Sequence, residues 1–401
     1  MKLASAAVAA LALAGCTTVR PAPQPLAQAG IAFDRGGEIG AFADGLADPQ
    51  ARRPVTPDDP VRIASISKIG VAIGVMKLVE SGRLDLDADV STYLGWTLRN
   101  PAFPSRPITL RQLLSHTSSI RDSDDQYAIP LGRTVRSAVA SPASWDPLHA
   151  PGAGYFTYSN MNFPVVGSIV ERVTGERFDR WMRANVLDPM GIDACYNWPT
   201  CSDAAVARAV QLSEPDGTPI RDDLHGRRPA CPVYVEDPAP CDLTLWKAGD
   251  NGALFAPQGG LRISVRGLAR IGRLLLGGGT LDGVRILSPR SVDALLAPAW
   301  RFDGTNGQTD GGFYCTYGLA TQTIPTRAAG CDDDPAGDGV VRVGHAGEAY
   351  GLRSGLWIDR ARGTGVAYFS TGLGDDPPRG DSAYRISEEI AFARALALGR
   401  R

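Results

Sequence analysis

Ser65-Ile66-Ser67-Lys68 opens the stretch 65–79, SISKIGVAIGVMKLV, on which the reading of this chain turns. From Ile66 to Val79 the run is apolar nearly all round, interrupted mainly by Ser67, Lys68 and Lys77. It predicts a buried helix that stops at Ser81-Gly82. Residues three apart on a helix share a face one turn along, so Lys68 reaches the hydroxyl of Ser65. Burial disfavours the ammonium form of a lysine and lets it act as a base, or hold one in place. Ser65 also sits at the helix N-terminus, where backbone N–H groups favour a developing oxyanion. This is the one S-x-x-K in a chain with four Lys (Lys2, Lys68, Lys77, Lys247) against 37 Arg (41 − 4).

Outward from the helix, the N-terminal side reads as a hairpin, Ile31–Asp34 and Glu38–Phe42 about a Gly36-Gly37 turn, then a short strand at Val61–Ile63. The middle is helical and irregular. Thr109-Leu110-Arg111-Gln112 is a capping box opening Leu110–His116, and Phe163–Val173 and Phe178–Val186 are helical. Ser264–Leu276 is a further helix, and Ser288-Pro289 opens another. Strands return at Val340–Val343, Ser354–Ile358 and Gly365–Ser370, before a final helix at Asp381–Leu398. Strands at both ends around a helical middle predict an α/β fold: one sheet built from the two chain termini, flanked by helices, with the helical part inserted. The expected boundaries are 29–95 and 256–401 for the α/β part and 96–255 for the mainly helical part.

Two further motifs carry candidate chemistry. Tyr158-Ser159-Asn160 lies 93 residues after Ser65 (158 − 65), between the Pro/Gly stretch 151–154 and a helix. A phenol there can relay a proton if a lysine charge lowers its pKa, and Asn160 can donate to a substrate carbonyl or to Lys68. His345-Ala346-Gly347 lies 187 residues after Tyr158 (345 − 158), at a strand end. Gly347 allows close approach of a substrate, and the N–H of Glu348 is a candidate second oxyanion donor.

The order Ser-x-x-Lys, Tyr-x-Asn, His-x-Gly, with these gaps, resembles the class C β-lactamase-like serine hydrolases, which include class C β-lactamases, D-Ala-D-Ala carboxypeptidases, D-amino-acid peptidases and esterases. Leu113-Leu114-Ser115-His116-Thr117-Ser118 resembles the family's L-L-x-H-T-S signature, and 259–264 with Leu268-Ala269-Arg270 resembles its second-half helix entry. The resemblance covers roughly residues 30 to 400. It implies an antiparallel sheet flanked by helices, of the β-lactamase/transpeptidase type. A helical subdomain then carries Tyr158 across a cleft from Ser65. It also implies an acyl-enzyme on Ser65, with Lys68 and Tyr158 as catalytic partners and Asn160, His345, Gly347 and Glu348 at the substrate.

Two departures matter. His345-Ala346-Gly347 stands where β-lactamases and penicillin-binding members carry Lys-Thr-Gly. That removes a permanent positive charge and a hydroxyl, and Glu348 adds a negative charge. Carboxylate-bearing substrates lose an anchor, which favours uncharged esters, unless Arg353 turns into the cleft to replace it. His345 is expected neutral unless Glu348 raises its pKa. Ser119 stands where the H-T-S signature often continues with Gly. Other readings are a β-lactamase or D-Ala-D-Ala carboxypeptidase or D-aminopeptidase, and a non-catalytic cell-wall binding protein. A Ser-His-Asp hydrolase lacks its G-x-S-x-G elbow here.

The N-terminus reads as an export signal: Lys2, an apolar run from Leu3 to Ala14, then Leu13-Ala14-Gly15-Cys16. That ending resembles the bacterial lipobox, which implies a signal peptide at 1–15, lipid on Cys16, a tether at 16–28 and a membrane partner. Residue 17 is Thr, not Asp, which by resemblance to the sorting rules of Gram-negative lipoproteins implies the outer membrane rather than retention at the inner one. Of seven Cys, removing Cys16 leaves six, an even number suited to an oxidising compartment. Sequence neighbours favour Cys195–Cys201, Cys231–Cys241 and Cys315–Cys331 among the 15 possible connectivities. Scattered His and the lack of C-x-x-C spacing argue against a metal, and no cofactor is expected. Without Lys2 the balance is 40 basic to 43 acidic residues, a formal −3, and nothing in it suggests a nucleic-acid binder, so none is expected as a partner. The expected partner is a small acyl substrate.

Overall fold

A computed structural model describes residues 24–123 and 127–400. Residues 1–23, on which the expected signal peptide, Cys16 and most of the expected tether fall, lie outside the described residues.

The elements that build the site are β1 (Ala27–Asp34), β2 (Glu38–Asp48), α1 (Ser67–Glu80), α2 (Asn162–Thr174), α3 (Val265–Leu276), β3 (Arg342–Ala349), β4 (Leu352–Asp359), β5 (Thr364–Thr371) and α4 (Ile386–Leu398). One nine-stranded sheet runs Trp300–Arg301, Thr316–Tyr317, Gln322–Ile324, β3, β4, β5, β1, β2, Arg53–Pro54. Every pairing in it is antiparallel, and β1 from the N-terminal part joins β5 from the C-terminal part, Ala27 opposite Thr371 through Asp34 opposite Thr364. The sheet is therefore assembled from both ends of the chain, as the sequence predicts.

Alternation along the strands explains the two covering layers. Ile31, Phe33, Leu356, Ile358, Ala367 and Phe369 belong to the main core with α3, while Ala32, Trp357, Val366 and Tyr368 pack with Phe392 of α4. Both faces are thus buried, so the strands read as near-continuous apolar runs. Gly272 of α3 and Gly365 of β5 both meet the tip of the Phe33 ring: a Cβ on either would stand 2.3 or 2.4 Å from Phe33 Cζ. That absence of side chains lets helix and sheet close on the ring.

The helical insertion packs on the buried helix α1. Gly70 and Gly74 leave room there for the Tyr196 hydroxyl and for Met182 and Trp181. The Thr109 capping box forms, with Oγ1 accepting from Gln112 N–H and Gln112 Oε1 accepting from Thr109 N–H. Ser264 and Ser288 cap their helices.

Three elements differ from expectation. β3 runs on through Gly344 and Gly347 to Ala349, so His345 is mid-strand rather than at a strand end. The glycines mark close packing, since a Cβ on Gly344 would meet Leu356 O at 1.8 Å. The last helix begins at Ile386, because residues 378–386 fold back on themselves through Gly380 N–H to Tyr384 O and Ile386 N–H to Pro378 O. The helix expected over Phe178–Val186 is α-helical only to Met182 and continues as one wider turn, Arg183–Leu187. At the N-terminal side the sheet starts at Ala27, two residues before the boundary set at 29.

Disulfides join Cys195 to Cys201, Cys231 to Cys241 and Cys315 to Cys331, with Cα–Cα separations of 4.9, 5.6 and 6.0 Å. These are the sequence-neighbour pairs.

Candidate active site

Ser65 lies in a single 3-10 turn, Ala64–Ile66, that runs directly into α1. Ala64 has φ +51°, a left-handed conformation that costs a non-glycine residue energy and turns the chain sharply before Ser65. Ser67 locks the turn: its hydroxyl donates to Ala64 O at 2.6 Å and accepts from Leu261 N–H at 3.0 Å. β3 runs against this turn, so a Cβ on Gly347 would lie 2.4 Å from Ile63 O and 3.3 Å from Ser65 N.

Lys68 is fully buried. Its Nζ donates to Asn160 Oδ1 at 2.9 Å and to Gln258 O at 2.7 Å, and stands 2.9 Å from Ser65 Oγ. Burial pulls its pKa down to about 7, with the Asp122 carboxylate acting in the opposite direction. Tyr158 comes from across the cleft, and its hydroxyl donates to Ser65 Oγ at 2.8 Å. Burial pushes the Tyr158 pKa well up, with Asp122 and Glu348 adding to the rise. The phenol therefore keeps its proton, and the condition on which the sequence reading made it a relay, a lysine charge that lowers its pKa, is not met.

Tyr158 is held by stacked rings. The His116 ring lies 4.3 Å from it on centroids and Tyr314 lies 4.6 Å away, nearly parallel at 12°. His116 Nδ1 faces Ser159 N–H and Asn162 Nδ2, both at 3.1 Å, so the ring accepts there and carries its proton on Nε2. Burial, then the Lys68 charge, keep it neutral.

His345 does not reach the cleft. It is 1% exposed, with Nε2 accepting from the Tyr317 hydroxyl at 2.8 Å and Nδ1 donating to Ala346 O. Burial pulls its pKa down to about 3. Burial and the Lys68 charge set this shift, and Glu348 does not offset it; Glu348 Oε1 pairs with Arg353 Nη2 at 2.7 Å, and the Arg353 side chain is itself 3% exposed. The open cleft, about 390 Å³, is lined by Ser65, Tyr158, Asn160, Tyr314, Gly347 and Glu348, among others. Two guanidiniums also line it, but both are engaged: Arg379 with Asp332 at 2.9 Å and Arg385 with Asp376 at 2.8 Å.

Ser65, Lys68, Tyr158, Asn160, Gly347 and Glu348 are thus brought together, and His345 lies buried beside them, hydrogen-bonded to Tyr317. Sequence reasoning missed Asp122, Tyr314 and Tyr317, and gave His116 no role. His116 stood in a quoted motif that could have prompted one. Nothing local distinguishes Asp122 within the acidic run 122–125.

Known proteins bear on this arrangement. Residues 24–390 match the model of the Beta-lactamase family. The chain is 29% identical over 353 residues to Esterase EstB of Burkholderia gladioli, covering 81% of this chain and 80% of that one. It is 31% identical over 192 residues to Lovastatin esterase of Penicillium rubens, covering 41% and 46%. Among solved structures, the D-amino acid amidase from Ochrobactrum anthropi SV3 with L-phenylalanine amide superposes with a TM-score of 0.66 at 19% identity, over 94% of this chain and 95% of that one. A class C beta lactamase from Rhodobacter sphaeroides gives 0.62 at 18%, over 93% of each. With a family match spanning the sheet, the insertion and the cleft between them, the chain belongs to the Beta-lactamase family of serine hydrolases.

Proposed function

We propose that this chain hydrolyses small uncharged acyl esters through an acyl-enzyme on Ser65. The observation that carries the reading is the convergence of Lys68 Nζ and Tyr158 Oη on Ser65 Oγ, at 2.9 and 2.8 Å. Two of the three directions around Lys68 Nζ face carbonyl oxygens, which only accept. In the neutral amine the lone pair takes the third direction and accepts the Ser65 proton. Ser65 Oγ then attacks the ester carbon. The N–H groups of Ser65 and Glu348 are the oxyanion donors we assign. On collapse the C–O bond to the leaving group breaks, the alkoxide takes the Tyr158 proton, and Lys68 returns its proton to Tyr158. Water, deprotonated by the same groups, releases the acid, so one ester and one water give one acid and one alcohol.

Esters are favoured over β-lactams by charge. The third motif offers a buried neutral His345 and Ala346, and Glu348 places a carboxylate at the cleft. A charge-assisted hydrogen bond is about twice as strong as a neutral one, so a carboxylate substrate forgoes more here than an ester does. The esterase relatives agree with this reading.

The enzyme is proposed to work at the periplasmic face of the envelope, held by lipid on Cys16 as an outer-membrane lipoprotein. Three disulfides in the folded domain support an oxidising compartment. The functional test is kcat/KM for p-nitrophenyl butyrate against nitrocefin on the soluble domain; a clear preference for nitrocefin would overturn the ester reading.

A further inference from the structure

Asp122 accepts four hydrogen bonds from three consecutive residues beside Tyr158. Its Oδ1 receives Ser159 Oγ and Met161 N–H, both at 2.9 Å, and its Oδ2 receives Asn160 N–H at 2.8 Å and Asn160 Nδ2 at 3.1 Å. The bond from Nδ2 decides the amide's orientation. With Nδ2 on a carboxylate, Oδ1 must point the other way, and it lies 2.9 Å from Lys68 Nζ. A flipped amide would set Oδ1 against the Asp122 carboxylate and Nδ2 against Lys68, losing both bonds.

We propose that Asp122 is a positioning residue for acyl transfer: it holds the Asn160 amide so that Oδ1 occupies one direction around Lys68 Nζ and leaves the lone pair aimed at Ser65. The inference rests on the reading of Ser65 and Lys68 given above. The other titratable groups around Lys68 are Tyr158, whose ring lies 5.0 Å from Nζ, and the neutral His116 and His345. Asp122 is the carboxylate that opposes the effect of burial on Lys68. A purely structural role is the alternative, since the Asn160 and Met161 N–H groups stand just ahead of α2 and Asp122 satisfies both.

The experiment compares wild type, Asp122→Asn, Asp122→Glu and Asn160→Ala by thermal melting, by labelling of Ser65 with a fluorophosphonate, and by the pH profile of kcat/KM on p-nitrophenyl butyrate. Asp122→Asn should lose roughly 10–100-fold in kcat/KM, the scale of a misplaced catalytic group. Its acid limb should move down by roughly half a pH unit, because a charge favouring protonated Lys68 is gone. Asp122→Glu should restore the limb. On the alkaline plateau, an Asp122→Asn/Asn160→Ala double variant should lose no more than Asn160→Ala alone, since one residue acts through the other. A lowered melting temperature with an unmoved acid limb and additive losses would leave Asp122 a structural residue and overturn the proposal. If Asp122→Asn does not fold, Asn160→Ala decides: wild-type turnover in it overturns the proposal. Failure of the underlying reading looks different, because wild type itself would then give no Ser65 adduct.

Discussion

Glu348 and Arg353 face each other across β3 and β4 and close a 2.7 Å ion pair at the edge of the cleft. Arg353 was the residue best placed in sequence to replace the missing Lys of the third motif. The Arg353 side chain is buried and does not line the cleft, whereas the Glu348 side chain is exposed there. Glu348→Gln should therefore raise the ratio of nitrocefin to p-nitrophenyl butyrate hydrolysis several-fold, and an unchanged or lower ratio would show that Glu348 does not set selectivity. Some stability should be lost as well, since the buried Arg353 then lacks its partner.

Ser65→Ala should abolish turnover while changing the unfolding free energy by no more than about 1 kcal/mol, because one hydroxyl is removed without a cavity. Lys68→Ala and Tyr158→Phe should each cost about a thousandfold or more, and their combination little beyond either alone, as groups acting as a unit do. Steady-state kinetics and intact-mass detection of the acyl-enzyme check this. Wild-type turnover in Ser65→Ala would remove Ser65 as the nucleophile.

The pH profile should have its acid limb near 7, where buried Lys68 gives up its proton. His116 and His345 add no limb, since burial keeps both neutral through that range. The same shift has a stability sign. The unfolded chain holds the lysine proton up to 10.5 and the folded one only to about 7, so between these values the unfolded state binds more protons and this group's contribution to stability rises with pH. Replacing Lys68 by Met should remove that rise, which denaturant titrations at about pH 7 and 9.5 would detect.

The disulfide Cys315–Cys331 closes a loop whose neighbouring Tyr314 stacks on Tyr158. A Cys315→Ser/Cys331→Ser variant should lose stability, about 2–4 kcal/mol in the chain-entropy picture. Well below its melting temperature it should also show reduced kcat/KM, because the wall behind Tyr158 is loosened. The Cys231→Ser/Cys241→Ser variant, whose cysteines do not line the cleft, is the control. Equal activity in the two would separate the disulfide from the site.

Mass spectrometry of the N-terminal peptide from membrane fractions should show a diacylglyceryl mass on Cys16. A mature N-terminus elsewhere, with Cys16 absent or unmodified, would end the lipoprotein reading.

What the sequence alone determined is local. The Ser65–Lys68 spacing lies within one helical turn, the apolar run around it had to be buried, and the Thr109, Ser264 and Ser288 caps formed where their hydrogen-bonding side chains stand. Neighbouring cysteines paired because short loops keep them close. Each of these depends on a few consecutive residues, whose geometry is set by backbone period and loop length. The tertiary structure decided what depends on distant elements meeting. Tyr158 reaches Ser65 across 93 residues, Asp122 orients Asn160 from a separate loop, and β3 lies close against Ile63–Ser65, with His345 buried on Tyr317 while Glu348 lines the cleft. Strand alternation sends neighbours to opposite faces, but only packing decides which face meets the substrate, and only burial sets the charge of Lys68 and His345 there.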